Sequence, residues 1–350
     1  MIEAATELIT GDRVRTFAAA VLERTGMSPE DARDTADALA WADLRSIPPQ
    51  GLAKLPLIVA RLRAGGNRAN ASVDAVGDRG AFTVLDAHDA WGHVAGIHGM
   101  RTAIEKARTS GVGLAVVRNT SSGSAMGYYA LLAVRERMIG IAINDTTPLM
   151  PPTGGTAKVL GNQAFAIGCP AGRHDPILMD TATSAITWTG IEEYLVRGEQ
   201  LPPGLALAAD GSPTTDPAAA LAGIMLPMGG HRGYGLALMF EVLTGVLSGG
   251  ARIANELTPL SSLDQPQGVS HFMLAIDPAV ALPYDEFTAR VDRLIDQIHA
   301  SPPASGVAHV LVPGERGFEV ARARERDGFV IPAEVAAKVR ALGAETGVPW

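Results

Sequence analysis

The sequence predicts an α/β protein with a mixed sheet flanked by helices. Short, nearly continuous apolar runs such as residues 113–118 and 138–144 have the texture of strands buried on both faces. These runs are interleaved with helical patterns, which implies strands and helices layered in one core. The last part of the chain then returns to the helical texture of its first part.

In chain order, Ser28 is placed to cap a helix, with Pro29 in its first position and Glu30 and Asp31 at the positive end of its dipole. Ala32, Ala36, Leu39 and Trp41 supply its apolar face, and it must end before Pro48 and Pro49. Residues 52–64 form a second amphipathic segment through Leu55, Ile58, Val59 and Leu62, stopped by Gly65 and Gly66. From residue 71 the texture changes. Strands are predicted at 81–86, 113–118, 138–144, 165–168, 177–179 and 272–276, and helices at 94–110, closed by Gly111, and at 125–137. Residues 202–217, rich in Gly, Pro and Asp, read as loop, and helices return at 287–299 and 333–342. The organisation expected is a helical terminal region, 1–70 with 285–350, whose segments pack together, around an α/β core of 71–284 that holds a cofactor. No internal repeat or low-complexity tail is visible.

Composition excludes several classes. Hydrophobic residues at 47% and charged residues at 19% describe a folded chain, not a disordered one. The 29 basic against 37 acidic residues give a net charge of −8, the wrong sign for nucleic acid. A single cysteine, Cys169, excludes a disulfide framework and a cysteine zinc site. Glu3, Glu7, Asp12, Arg13 and Arg15 prevent a signal-peptide core, and the apolar stretch 233–247 is too short to span a bilayer and contains Glu241. A soluble cytoplasmic protein with no membrane partner is expected.

Standard motifs are missing. No G-x-G-x-x-G follows a strand, no phosphate loop ending in Lys-Ser or Lys-Thr occurs, and Gly111 and Gly113 precede their strand. Of eight histidines only His88, His93 and His98 cluster, at a five-residue spacing that does not share a helix face, so no metal site is predicted. No G-x-S-x-G elbow is present. What remains are loops of Gly, Pro and small polar residues after apolar strands: Asn144-Asp-Thr-Thr-Pro148, Asp180-Thr-Ala-Thr-Ser184, Gly229-Gly-His-Arg-Gly-Tyr-Gly235 and Pro313-Gly-Glu-Arg316. Such loops bring amides close to a ligand; Asp180 with its hydroxyls suits a ribose or pyrophosphate, and Arg232 a phosphate. Turn-making glycines, and helix caps at Asp180 and Thr183, are the plainer alternatives.

Together these loops resemble the malate/L-lactate dehydrogenases of the type that lacks a Rossmann fold, a family that includes dehydrogenases of sulfolactate and ureidoglycolate and reductases of 2,3-diketogulonate and cyclic imino acids. The resemblance spans almost the whole chain. It is carried by Ala42-Asp-Leu-Arg45, Arg61-Leu-Arg-Ala-Gly-Gly66, Val117-Arg-Asn119, Gly127-Tyr-Tyr-Ala130, Met138-Ile-Gly-Ile-Ala142, Leu160-Gly161, the Asp180 loop, Asp210-Gly-Ser-Pro-Thr-Thr-Asp-Pro217, Gly233-Tyr-Gly-Leu-Ala-Leu-Met239 and Ala275-Ile-Asp-Pro278. It implies a nicotinamide cofactor, NADH or NADPH, in a non-Rossmann sheet, and an intertwined homodimer. By the same resemblance the cofactor residues are Thr146, Asp180, Thr181, Ala182, Thr183, Ser184, His231, Arg232, Gly314, Glu315 and Arg316. Lys54 stands at the family's substrate-carboxylate arginine, keeping the charge but not the bidentate fork.

The expected catalytic positions depart from the family. Its Asp-Ser-His-Gly reads Pro48-Pro49-Gln50-Gly51, which puts Gln50 at the usual proton donor. Its Ser-Asn-His-Phe-Gly reads Thr120-Ser-Ser-Gly-Ser124, which puts Ser122 at the second histidine. Its Gly-Thr-Asn-Pro reads Gly161-Asn-Gln-Ala164, and Gly190 stands at a frequent lysine. A ketone that accepts a hydride needs a proton; histidine, with a reference pKa near 6.5, supplies it, and glutamine cannot.

Three functions follow. The chain reduces a protonated imine, which brings its own proton, with Gln50 or Ser122 orienting it and Lys54 pairing with its carboxylate. Or it reduces an unusual carbonyl compound, with Ser122, Lys54, Tyr128 or water as proton source. Or it is a non-redox descendant that keeps the dimeric scaffold. The retained cofactor loops favour a reductase, and Arg232, Arg316 and Arg173 are the candidates to meet the 2′-phosphate of NADPH.

Overall fold

The computed structural model describes residues 7–350; of the acidic residues cited against a signal peptide, Glu3 lies outside them. Strand β1 (Glu7–Ile9) leads into α1 (Gly11–Arg24), capped by Thr10, and α2 (Pro29–Leu44), where the Ser28 hydroxyl accepts the Asp31 amide as predicted. Two 3₁₀ turns, Pro48–Gln50 and Leu52–Lys54, then enter α3 (Leu55–Ala64). The α-helix expected from residue 52 starts later because Pro56 has no amide to give the Leu52 carbonyl. Gly65 closes it with φ +89°.

The core follows: β2 (Asp74–Arg79), β3 (Phe82–Asp86), α4 (Gly92–Ser110), β4 (Val112–Thr120), α5 (Met126–Arg135), β5 (Ile139–Asn144), β6 (Ala164–Cys169) and β7 (Ile177–Ala182). Next come α6 (Trp188–Arg197), β8 (Ala206–Leu207), β9 (Pro213–Thr214), α7 (Pro217–Ala222), β10 (Ile224–Met225) and α8 (His231–Glu241), prolonged by a π turn over Val242–Val246. The chain ends with β11 (Val269–Ile276), α9 (Tyr284–His299), α10 (Glu315–Asp327), β12 (Phe329–Ile331) and α11 (Ala333–Thr346). The 202–217 stretch, expected to be loop, holds β8 and β9, which pair with β10 in a small sheet. Strands of two residues leave no periodicity to read.

The main sheet has the order β2-β3-β4-β11-β5-β6-β7, with β3 and β4 parallel and every other pair antiparallel. Phe272 of β11 lies opposite Val116 on one side and Ile143 on the other, and with Phe165 they form one apolar face, packed on Phe240 and Leu243. Ala115, Val117, Ala142 and Met273 point to the opposite face, into the cluster shared with α4 and α5. Both faces are therefore covered, as continuous apolar runs require. Where α4 crosses β4 the contact is so close that a Cβ on Gly113 would lie 1.9 Å from the Ala103 carbonyl.

The first and last described segments are tied together. β12 pairs antiparallel with β1, Phe17 meets Trp350 edge-on at 4.8 Å, and Val339 and Leu342 of α11 share a core with Val14 and Phe17. Among the described residues no helix is long and apolar enough to cross a membrane.

Candidate active site

A cleft of about 930 Å³ opens between the α2–α3 turn, the 121–125 loop, the end of β7 and the start of α10. Gln50, Ser122, Thr146, Asp180, Gly314 and Arg316 all line it, so one cavity gathers residues from distant parts of the chain.

The α2–α3 turn is built on Asp43. Its Oδ2 accepts the Leu52 amide at 2.8 Å, and a Cβ on Gly51 would stand 2.1 Å from Oδ1, so only glycine lets the turn pass. Burial pushes the Asp43 carboxyl up to about 7, against the Leu52 amide and the charge of Arg324. Lys54 Nζ donates to Gln50 Oε1 at 2.6 Å and to Ser124 Oγ at 3.0 Å. Both partners are neutral, and loss of hydration pushes the ammonium down to about 8.

Opposite this turn the 121–124 loop is fixed from behind. Gly123 donates its amide to Asn144 Oδ1 at 2.9 Å and accepts Tyr129 OH at 2.6 Å. The Ser122 amide donates to Gln267 Oε1 at 2.9 Å, and Ser121 Oγ accepts the Gly92 amide at 3.0 Å. Ser124 itself has φ +65°, an uncommon conformation for a residue with a side chain. Two buried imidazoles support the loop. His271 Nε2 lies 3.1 Å from the Ser121 carbonyl, and His93 Nδ1 accepts the Trp91 indole N–H at 2.6 Å, which leaves the His93 proton on Nε2. Burial holds both neutral, pushing His271 down to about 4 and His93 to about 3, with the charge of Lys54 adding to the latter. Among the described residues no histidine lines the cleft.

Tyr128, expected as one proton source, is not part of this surface. Its hydroxyl donates to Asp37 at 2.9 Å, and burial, followed by the Asp37 charge, raises its pKa far out of reach of neutral pH.

The far wall is β7 and its continuation. Solvent reaches Asp180 along the cleft while the walls displace most of its hydration; this raises its carboxyl to about 6, partly offset by the amides of Gly127 and Met126. Asp180 thus caps α5, close enough that a Cβ on Gly127 would meet its Oδ2 at 2.7 Å. Thr181 and Ala182 also line the cleft. Thr183 and Ser184 are buried, and neither hydroxyl has a partner among the described residues. The Thr146 amide donates to Gln163 Oε1 at 2.8 Å and its hydroxyl to Asn162 Oδ1 at 2.9 Å, over Gly161, where a Cβ would collide with Thr146 at 2.2 Å.

At the start of α10, Gly314 takes φ +98° against Leu178. Glu315 turns back on its own loop: Oε2 accepts the Val312 amide at 2.8 Å and Oε1 pairs with His299 at 2.7 Å. Arg316 faces the cleft and makes no ion pair among the described residues. His231 and Arg232 are exposed at the start of α8 and are not brought into the cleft, and Arg173 pairs with Asp296 at the surface. Gly190 sits in the first turn of α6, its amide given to Thr187. Among the described residues no cluster of acids, histidines and cysteine is placed to hold a metal ion.

Sequence inspection missed three residues here. Asp43 hides inside a motif noted only as a match. Ser124 stands where the family motif ends in glycine, which was a readable signal. Arg45 lines the cleft with its guanidinium 4.4 Å from the Trp41 ring centre and 5.1 Å from that of Phe318, pushed down to about 10 by burial and by Arg135. Like Asp43, it stands in the Ala42-Asp-Leu-Arg45 motif, which gave it no role.

Known proteins share this architecture. A family model described as malate/L-lactate dehydrogenase matches residues 9–340. L-sulfolactate dehydrogenase of Methanocaldococcus jannaschii is 35% identical over 328 residues, 94% of each chain. Delta(1)-pyrroline-2-carboxylate reductase of Ancylobacter novellus is 30% identical over 323 residues, 92% of this chain and 93% of that protein. The crystal structure of malate dehydrogenase from Entamoeba histolytica superposes with a TM-score of 0.94 at 28% identity, covering 99% of both chains. With nearly its whole length matched in sequence and in fold, the chain belongs to the malate/L-lactate dehydrogenase family.

Proposed function

We propose that the chain is an NADH- or NADPH-dependent oxidoreductase for a small carboxylated substrate, an imine or an unusual carbonyl compound, working without a histidine acid. Its relatives are dehydrogenases and reductases, and the chain is an oxidoreductase. The observation that carries the finer statement is the cleft itself: Arg45 and Arg316 line it, Lys54 stands behind its lining residues Gln50 and Ser124, and no histidine lines it among the described residues.

The residues present fit a nicotinamide cofactor. Buried hydroxyls without partners cost stability unless a ligand bonds them, and Thr183 and Ser184 lie directly beyond the cleft-lining stretch of β7. With Asp180, Thr146 and Arg316 they would hold ribose and phosphate groups. Bound there, the cofactor supplies or accepts a hydride. At the α2–α3 turn the charge of Lys54 attracts a substrate carboxylate, and Gln50 and Ser122 orient the reacting bond.

We also propose a homodimer. Leu238, Met239, Val242 and Val246 on α8 and its π turn are exposed, an apolar face that a second copy would cover.

Fluorescence titration with NADH and NADPH tests the cofactor, and a panel of 2-oxo acids and cyclic imino acids tests the substrate. Binding followed by turnover of either class is expected. Silence at millimolar cofactor would instead favour the non-redox descendant.

A further inference from the structure

We propose that Ser124 is a catalytic residue, its hydroxyl delivering the proton to the substrate oxygen while Lys54 recharges it. This rests on the hydride-transfer function proposed above and selects its carbonyl branch.

The geometry supplies the direction. An ammonium only donates, so in the 3.0 Å contact with Lys54 Nζ the Ser124 oxygen is the acceptor. Among the described residues its own hydrogen is bonded to no protein group, and the residue lines the cleft while only 9% exposed. The backbone at φ +65° would suit glycine better. Hydrogen bonds given by Gly92 and Tyr129 and accepted by Asn144 and Gln267 fix the residues that precede Ser124. The other contact of Lys54, Gln50 Oε1, is also neutral, so no carboxylate in contact holds the proton back.

The step balances. As the carbonyl carbon receives the hydride of the reduced nicotinamide, its π pair moves onto oxygen. The Ser124 O–H bond breaks, a new O–H bond forms on the substrate, and one Lys54 proton closes onto the serine oxygen. The carbonyl is reduced to an alcohol and the nicotinamide oxidised, and neutral Lys54 regains a proton from water. The titratable groups around Lys54 do not compete. His93 of α4 and His271 of β11 stay neutral, Asp43 of α2 faces the Leu52 amide, and Asp180 of β7 faces the start of α5. Arg45 of the same cleft is left to balance the substrate carboxylate.

Ser124→Gly is the clean test, because glycine keeps the left-handed backbone and removes the hydroxymethyl side chain. With pyruvate, oxaloacetate and Δ1-pyrroline-2-carboxylate as probes, the native chain should reduce a 2-oxo acid with a rate that falls above about pH 8. Ser124→Gly should lose about 10²- to 10⁴-fold in kcat. Its KM and its cofactor affinity by fluorescence should stay within about threefold, since only transition-state stabilisation is removed. Lys54→Ala should fall similarly and be rescued by ethylamine. A Ser124→Gly chain that keeps most of its kcat overturns the proposal, as does a Lys54→Ala chain that amine does not rescue. A native chain that binds cofactor but reduces only the imine, or neither class, also overturns it and leaves the cofactor site standing. Absence of cofactor binding overturns both.

Discussion

Asp43→Asn should abolish a loss of stability that the native chain suffers between about pH 5 and pH 8. Burial raises the Asp43 carboxyl from 3.8 to about 7 in the folded chain. Between those values the folded state holds a proton that the unfolded chain has released, so unfolding sheds a proton and stability falls as pH rises. Each unit is worth about 1.4 kcal/mol. From about pH 5 to the folded pKa the loss is therefore ~3 kcal/mol, after which it levels off. Asparagine cannot ionise, yet it keeps an oxygen for the Leu52 amide, now 2.8 Å from Asp43. Urea unfolding of both proteins at the two pH values gives the difference directly, and the titration of other groups cancels. The variant should gain ~3 kcal/mol relative to the native chain on going to the higher pH. Parallel stability curves would show that Asp43 ionises as an ordinary surface acid, and the account of the α2–α3 turn would fall.

Three further changes follow from the same geometry. Gly51→Ala places a Cβ 2.1 Å from Asp43 Oδ1 and should cost ~3–5 kcal/mol, overpacking plus the buried bond between Asp43 and the Leu52 amide; a urea midpoint shift worth under ~1 kcal/mol refutes it. Thr183→Val removes a buried hydroxyl without a partner, so it should raise the melting temperature of the cofactor-free chain by a few degrees yet weaken NADH or NADPH binding about tenfold; unchanged affinity separates the hydroxyl from the cofactor. Val246→Glu puts a charge on the exposed face of the π turn and should halve the sedimenting mass, whereas a mass unmoved by the variant removes that face from the dimer interface.

The centre of the sheet was legible because its strands are buried on both faces, and burial writes long apolar runs, whereas β2, exposed at every residue, was not anticipated. Six strands expected from such runs appear in the structure. Helix α10 was not anticipated: its sequence carries many arginines and glutamates, and none of its residues is fully buried. The central position of β11 between β4 and β5 was equally hidden, since it depends on a pairing across more than a hundred residues. At the site, the family resemblance singled out Gln50, Lys54 and Ser122, of which Gln50 and Ser122 line the cleft, but could not join Lys54 to Ser124, a contact separated by 70 positions. Glu315 shows the opposite failure: a motif residue whose side chain serves its own loop.

Lys54 and Asp43 together explain why this end of the cleft is costly to keep. For Asp43, the folded pKa lies above the unfolded value, so its contribution worsens as pH rises towards about 7. For Lys54 the folded pKa of about 8 lies below its ordinary 10.5, so its contribution is worst below about 8 and improves as pH rises past that value. Between about 7 and 8 both groups are largely charged inside one turn, and neither has the other as a partner. A turn shaped for stability alone would replace both with neutral side chains of similar size. Retaining an ammonium that titrates near 8, bonded among the described residues to Gln50 and Ser124 alone, makes sense where the proton itself is used.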